Sequence, residues 1–202
     1  ADSSEEASYR REFLEVIVPL RREDMDTALS EAQAMAERWP EDARVRTMIG
    51  GIAMSMERMD LAREALLEAQ RLDPSSMATY LNLARIETET GNLTAAREQY
   101  LAALERQPDS APLMVALARL EGRMGNRDKA VEWLQKARAE DAEAALPRLV
   151  LARIFLAEQN FDAAAEAASE VVRLPDAGAE AYHLLGLARQ GQGAFADAVA
   201  NL

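Results

Sequence analysis

Three arginines recur at a fixed interval of 34 residues and are the main candidates for a binding site: Arg85, Arg119 and Arg153. Arg123 follows Arg119 by one helical turn. The planar guanidinium group donates paired hydrogen bonds to carboxylates and phosphates. Acidic residues outnumber basic ones 35 to 23, which gives a formal net charge of −12. These residue types therefore predict a positive stripe that binds an anionic ligand on an otherwise acidic protein.

The alternative is that these arginines pair with acids of the chain itself. Glu87, Glu89 and Glu121 lie close to them in the sequence. Exposed ion pairs of this kind contribute only about 0.2 to 1 kcal/mol each. The sequence leaves open whether the stripe binds a ligand or is neutralised internally.

Apolar residues precede the arginines by four positions: Leu81, Val115 and Leu149. Asn82 follows Leu81, and His183 takes the next place in the same 34-residue series. A mixed wall of apolar and arginine side chains suits an extended or helical peptide, so we include these residues in the predicted partner-binding surface. His183 is the only histidine, and no second histidine or acidic cluster lies at metal-ligand spacing. We interpret it as a surface or partner contact.

Composition and motifs exclude several other functions. The absence of cysteine excludes thiolate metal sites and thiol nucleophiles. No P-loop, dinucleotide-binding glycine pattern or nucleophile elbow is present. We therefore predict no catalytic, cofactor-binding or metal-binding residues and no enzymatic activity. The negative charge opposes nucleic-acid binding, and no apolar run approaches the roughly 20 residues of a membrane span.

The elements that must position these residues are helices in a repeat. Alanine recurs every 34 residues, at Ala28, Ala62, Ala96, Ala130, Ala164 and Ala198. Prolines keep the same interval at Pro40, Pro74 and Pro108. Turns are marked by Gly91, Gly125 and Gly193, and by the asparagines Asn92, Asn126 and Asn160. The glycines tolerate a left-handed backbone, and we expect the asparagines to cap the helices that follow.

The pattern predicts an all-α chain with two helices in each period. First helices are predicted near 5–18, 42–56, 76–90, 110–124, 144–158 and 178–191. Second helices are predicted near 24–38, 59–72, 93–106, 127–140, 161–173 and 195–202. Pro19 is expected to truncate the first helix, because proline lacks an amide hydrogen and clashes with the preceding turn.

This pattern resembles the tetratricopeptide repeat (TPR), which has a 34-residue period. The resemblance implies one right-handed superhelical solenoid over 1–202, with antiparallel helix pairs and about five and a half repeats. The repeats are expected near 9–42, 43–76, 77–110, 111–144 and 145–178, with a partial repeat at 179–202. In this family the first helices line a concave groove that binds a protein or peptide. The arginines and apolar residues above fall on that groove.

The sequence suggests that this solenoid is part of a longer protein. The last predicted helix ends at Leu202 after about two turns, whereas terminal repeats normally carry a polar cap. We expect further repeats beyond it, or self-association through the uncapped end.

A narrower resemblance involves three runs, with Gly125 and Asn126 after the first: Leu117–Glu121, Ala130–Ala139 and Pro147–Arg153. They are similar to the TPR lipoproteins of the exosortase (PEP-CTERM) exopolysaccharide systems. This resemblance implies a scaffold in the periplasm or on the outer membrane of a bacterial cell envelope, connected with polysaccharide production or protein sorting. Two alternatives are a cytoplasmic TPR adaptor or regulatory domain and, from another class, a solenoid that binds an anionic polysaccharide.

Overall fold

The computed structural model describes residues 3–194, with side chains from residue 4 onward. Within this range the chain forms α-helices and no strand. The helices are α1 (Ser3–Arg21), α2 (Met25–Arg38), α3 (Ala43–Ser55), α4 (Met59–Leu72), α5 (Met77–Glu89), α6 (Leu93–Arg106), α7 (Ala111–Arg123), α8 (Arg127–Glu140), α9 (Ala145–Ala157), α10 (Phe161–Val172) and α11 (Ala179–Gly191). The prediction of an all-α helical repeat is confirmed. The second helix predicted at 195–202 lies outside the described residues.

Successive helices form antiparallel pairs. The helices of the pairs α1/α2, α3/α4, α5/α6, α7/α8 and α9/α10 pack extensively on each other, and α11 packs on both α9 and α10. The chain divides into two compact units, Ala1–Arg106 and Gln107–Leu202, which are called unit 1 and unit 2 below. A single continuous solenoid over 1–202 stays a prediction.

The alanine column lies where the paired helices cross. Ala28, Ala62, Ala96, Ala130 and Ala164 are all at most 2% exposed. Ala198 lies outside the described residues. Gly50 shows why small residues are needed here, because a Cβ atom on it would come within 2.5 Å of Leu66 Cγ. The close approach of the helices therefore depends on residues with little or no side chain.

The expectation that Pro19 ends the first helix is wrong. Helix α1 continues to Arg21 with Pro19 in its last turn. The carbonyl oxygen of Pro19 accepts the amide hydrogens of Arg22 at 2.9 Å and Asp24 at 3.0 Å. A proline removes only its own amide donor, so residues after it can complete the last turn when their own amides find acceptors.

The turn after each first helix has a left-handed residue in every repeat. The glycines Gly91, Gly125 and Gly193 have φ values of 84°, 78° and 79°. Glu23, Glu57 and Gln159 take the same places in the other repeats, with φ between 58° and 62°. The glycine prediction is confirmed, and the backbone conformation extends to repeats that lack glycine.

The prediction that the asparagines cap the following helices holds only at Asn160, whose side chain accepts from the amide of Ala163. At Asn126 no such bond forms. Instead, its amide group donates to the Glu121 carboxylate at 2.7 Å. Asn92 donates in the same way to Glu87, also at 2.7 Å. In both repeats the side-chain amide of the asparagine donates to a buried carboxylate of the preceding first helix, and this hydrogen bond anchors the turn to that helix.

Candidate partner-binding faces

The first helices of unit 2 are α7, α9 and α11, and they carry most of the predicted site residues. We use the term unit 2 face for the predicted side chains on these three helices and the exposed Leu146 beside them: Arg119, Arg123, Leu146, Leu149, Arg153 and His183. Helices α9 and α11 pack side by side, which places Arg153 and His183 on neighbouring elements.

Arg119 and Arg123 lie four residues apart near the end of α7, so they share one side of that helix. Both are exposed. Within the described part of the chain, neither forms an ion pair with a carboxylate. These two arginines are therefore available to an external anion.

Arg153 behaves differently, because its guanidinium group pairs with the carboxylate of Glu180 on α11. The side chains of Arg153 and Glu180 remain 53% and 42% exposed. The spacing of the arginines did not identify Glu180 as a partner. The repeat offers one signal for it, because the position 27 residues after Arg153 is the acid Glu180, whereas the position 27 residues after Arg119 is the apolar Leu146.

The apolar predictions divide between surface and core. Leu149 is partly buried. Leu146, one turn earlier on α9, is 43% exposed. Val115 is only 4% exposed and belongs to the buried core. Its inclusion in a partner-binding surface is therefore wrong, since the packing around α7 leaves almost none of its side chain for a ligand.

His183 is exposed on α11. Among the described residues, no group of three or more histidine, aspartate and glutamate side chains is placed to hold a metal ion.

The first helices of unit 1 form a smaller face with α5 packed beside α3. We call Leu81, Asn82 and Arg85 of α5 the unit 1 face. Leu81 is 38% exposed, and Asn82 is partly buried. Arg85 is exposed and its Nη2 group donates a weak hydrogen bond to Met54 Sδ of α3 at 3.5 Å. Gly51, one turn before Met54, has open space where a Cβ atom would be.

Tyr100 is the titratable neighbour of Arg85 in unit 1. Burial raises the pKa of the Tyr100 phenol above its usual value, and this effect exceeds the lowering that Thr88 and Arg85 produce. The phenol therefore stays neutral at physiological pH. Glu89, four residues after Arg85 on α5, adds to the raised pKa, so an acidic group also lies near this phenol.

Two of the three internal acids named from the sequence, Glu87 and Glu121, have other partners. Glu87 accepts from Arg63 Nε at 2.6 Å as well as from Asn92. Glu121 accepts from Asn126, as described above. Internal pairing therefore occurs at Arg153, but through Glu180. Because Arg85 lies in unit 1 and the other arginines lie in unit 2, a ladder that runs through all of them stays a prediction.

None of the helices in residues 3–194 combines the length and hydrophobicity needed to cross a bilayer.

The repeat that carries these faces matches a known protein family. Sequence profiles described as tetratricopeptide repeat match residues 15–77, 75–139 and 115–179. A search of curated protein sequences found no significant relative.

Solved structures share the fold at low sequence identity. A TPR protein from Parabacteroides merdae is 18% identical over 96% of this chain and 77% of its own, with a TM-score of 0.78. Pseudomonas aeruginosa pilF is 14% identical over 98% of this chain and 90% of its own, with a TM-score of 0.75. YrrB, described as a TPR protein with an unusual peptide-binding site, is 17% identical over 84% of this chain and 88% of its own, with a TM-score of 0.63.

The profile matches cover most of the chain from residue 15 to residue 179, and the helix pairs follow the same 34-residue period. The chain therefore belongs to the tetratricopeptide repeat family, as a repeat scaffold for protein interactions.

Proposed function

We propose that the chain is a non-enzymatic scaffold whose unit 2 face binds an acidic peptide segment of a partner protein. The observation that carries this proposal is the pair Arg119 and Arg123, which are exposed on α7 without an ion-paired carboxylate in the described part of the chain. A protein with 35 acidic residues and 23 basic ones offers many carboxylates, so two neighbouring arginines without one are suited to an external anion.

A peptide fits this face better than a purely ionic polymer. Leu146 is 43% exposed on α9, and Leu149 is partly buried on the same helix. Apolar contacts of this kind complement the side chains of a peptide, whereas the arginines bind its acids. The structural relative YrrB, described by its peptide-binding site, supports the same class of ligand.

The unit 1 face is proposed as a second contact for a partner. Arg85 and Leu81 lie four residues apart on α5 and are both exposed. The open space over Gly51 on the neighbouring helix leaves room for a ligand side chain. Arg85→Ala should therefore weaken binding of a partner that reaches unit 1, whereas Arg22→Ala, which removes an exposed charge after α1, should not.

The test uses a fluorescent peptide of alternating glutamate and leucine, and its affinity is measured by anisotropy. We expect Arg119→Ala/Arg123→Ala to weaken binding about two- to thirty-fold, the range for two exposed ion pairs. Binding should also weaken as salt rises, because exposed charges are screened.

The matched control is Lys129→Ala/Arg173→Ala, which removes the same charge from exposed residues on α8 and at the end of α10. An equal loss in this control would contradict a defined site and indicate general charge attraction. If an anionic polysaccharide binds more tightly than the peptide and depends on Arg119 and Arg123, the peptide proposal fails in favour of the polysaccharide one.

We propose further that the scaffold acts in a bacterial cell envelope, in exopolysaccharide production or protein sorting. The support is the resemblance of the runs between Leu117 and Arg153 to exosortase-system lipoproteins. Fractionation of cells that express the full-length gene product is the test. Recovery with the envelope is expected, and recovery only in the cytosol would favour the adaptor alternative.

A further inference from the structure

We propose that Glu180 occupies the carboxylate-binding position of Arg153 in the free protein, and that an acidic side chain of the partner displaces it. This inference rests on the proposed function of the unit 2 face. The observation behind it is the ion pair between Arg153 on α9 and Glu180 on α11, which joins two neighbouring first helices on that face.

The ion pair is accessible to a competing ligand. The side chain of Arg153 is 53% exposed and that of Glu180 is 42% exposed, so solvent reaches both groups. Exposed pairs contribute little to stability, because water solvates the separated charges well. An incoming carboxylate can replace Glu180 while Glu180 rotates into solvent, so the exchange needs no change in the packing of α9 against α11.

The repeat supplies an internal comparison within unit 2. Arg119 and Arg153 hold equivalent places in successive repeats, 34 residues apart. The residue 27 positions after Arg153 is Glu180, whereas the residue 27 positions after Arg119 is Leu146. Leucine has no acceptor for a guanidinium group. The two repeats therefore differ at this position, which is acidic after Arg153 and apolar after Arg119.

Two consequences follow for the affinity of the face. Glu180 competes for Arg153, and its negative charge repels an approaching acid. It thus lowers the affinity for acidic ligands, and most for those whose carboxylate binds Arg153, because they must displace Glu180 from it. Glu180 is a specificity-determining residue in this sense, since it acts by occupying the arginine before the ligand arrives.

The experiment measures binding of the glutamate and leucine peptide to wild type, Glu180→Gln, Arg153→Ala and the double variant. Glu180→Gln should tighten Kd about two- to five-fold, the change that corresponds to losing an exposed ion pair. In the Arg153→Ala background the same substitution should have a clearly smaller effect. Glu166→Gln on α10 is the charge-matched control and should leave Kd nearly unchanged.

The reverse exchange tests the same idea at Arg119. Leu146→Glu should install a competing acid and weaken binding more than Leu146→Gln, which removes the apolar contact but adds no charge. Far-UV circular dichroism of each variant checks that the exposed substitutions leave the helices intact.

The outcomes separate this inference from the proposed function. If wild type binds through Arg119 and Arg123 and Glu180→Gln has no effect, or an effect equal to that of Glu166→Gln, only the role of Glu180 is overturned. An equal gain with and without Arg153 overturns it as well. If neither wild type nor Glu180→Gln binds the peptide, both proposals are wrong.

Discussion

Two adjacent glycines in α3 illustrate how much depends on a single side chain. Gly50 lies against Leu66, and an added Cβ atom would come within 2.5 Å of Leu66 Cγ. Gly51 has nothing within 4 Å of the same position. One glycine is therefore required by helix packing, whereas the other weakens the helix without a packing reason.

We predict that the two alanine substitutions act in opposite directions. Gly51→Ala should raise the free energy of unfolding by about 0.5 to 1 kcal/mol, because alanine loses less backbone entropy in a helix. Gly50→Ala should lower it by about 1 to 3 kcal/mol through overpacking against Leu66. Urea unfolding, monitored by circular dichroism, measures both changes in the free energy of unfolding. Equal shifts in the same direction would contradict the packing difference.

At the scale of elements, the turns after the first helices share a backbone conformation that their side chains do not all favour. Gln159 has a φ of 59° where Gly125 and Gly193 have φ near 80°. A residue with a Cβ atom is strained in this left-handed region, by about 1 to 2 kcal/mol. The repeat geometry imposes the turn on the chain, even where glycine is absent.

Gln159→Gly should therefore stabilise the protein. We expect a gain of up to about 1 kcal/mol, since relief of strain exceeds the extra entropy of the unfolded chain. The matched control is Gln135→Gly on the exposed side of α8, which should cost about 1 kcal/mol because it places glycine inside a helix. Thermal and urea unfolding distinguish the two, and a loss of stability at residue 159 would show that the turn is unstrained.

At the scale of the whole molecule, the many carboxylates make the free energy of unfolding depend on pH in the acidic range. Burial tends to raise the pKa of Glu87, but hydrogen bonds from Arg63 and Asn92 outweigh it and hold the pKa below its usual 4.5. The hydrogen bond from Arg44 likewise lowers the pKa of Asp42 below 3.8. The pKa values of Glu68, Asp73 and Glu132 are also lowered by hydrogen bonds from neighbouring side chains.

A carboxyl group whose pKa is lower in the folded state stabilises the protein above its unfolded pKa, and this stability is lost as the pH falls through the folded pKa. We therefore predict that the free energy of unfolding decreases as the pH falls below 4.5, the usual pKa of Glu87. Glu87→Gln should lower stability at neutral pH and flatten this decline. Glu89→Gln, an exposed neighbour on α5, should do neither. A parallel decline in wild type and Glu87→Gln would show that Glu87 is not involved.

The charge of the candidate partner-binding faces depends both on the repeat and on the helices packed beside each arginine. The repeat places Arg119 and Arg153 in equivalent positions, but the neighbouring element makes one available and pairs the other with Glu180. This is why residue types at fixed spacing predicted the candidate surface but not its charge state. Whether an arginine is free depends on the acids that the next helix brings within reach.

The sequence by itself determined the helices and their pairing. The 34-residue period of small residues, prolines and glycines is a local signal, because it acts through helix propensity, close helix crossing and turn conformation. It placed most helix boundaries within one or two residues of those observed, with α1 extended by three.

Only the tertiary structure decided the burial of Val115, the pairing of Arg153 with Glu180, and the role of Asn126 as a donor to Glu121 instead of a helix cap. Each outcome depends on groups from separate helices, or from opposite sides of a turn, that meet in space. Periodicity specifies which face a residue shares with its own helix. Which side chain satisfies a charge or a hydrogen bond is set by distances between helices, and these are fixed only when the helices pack.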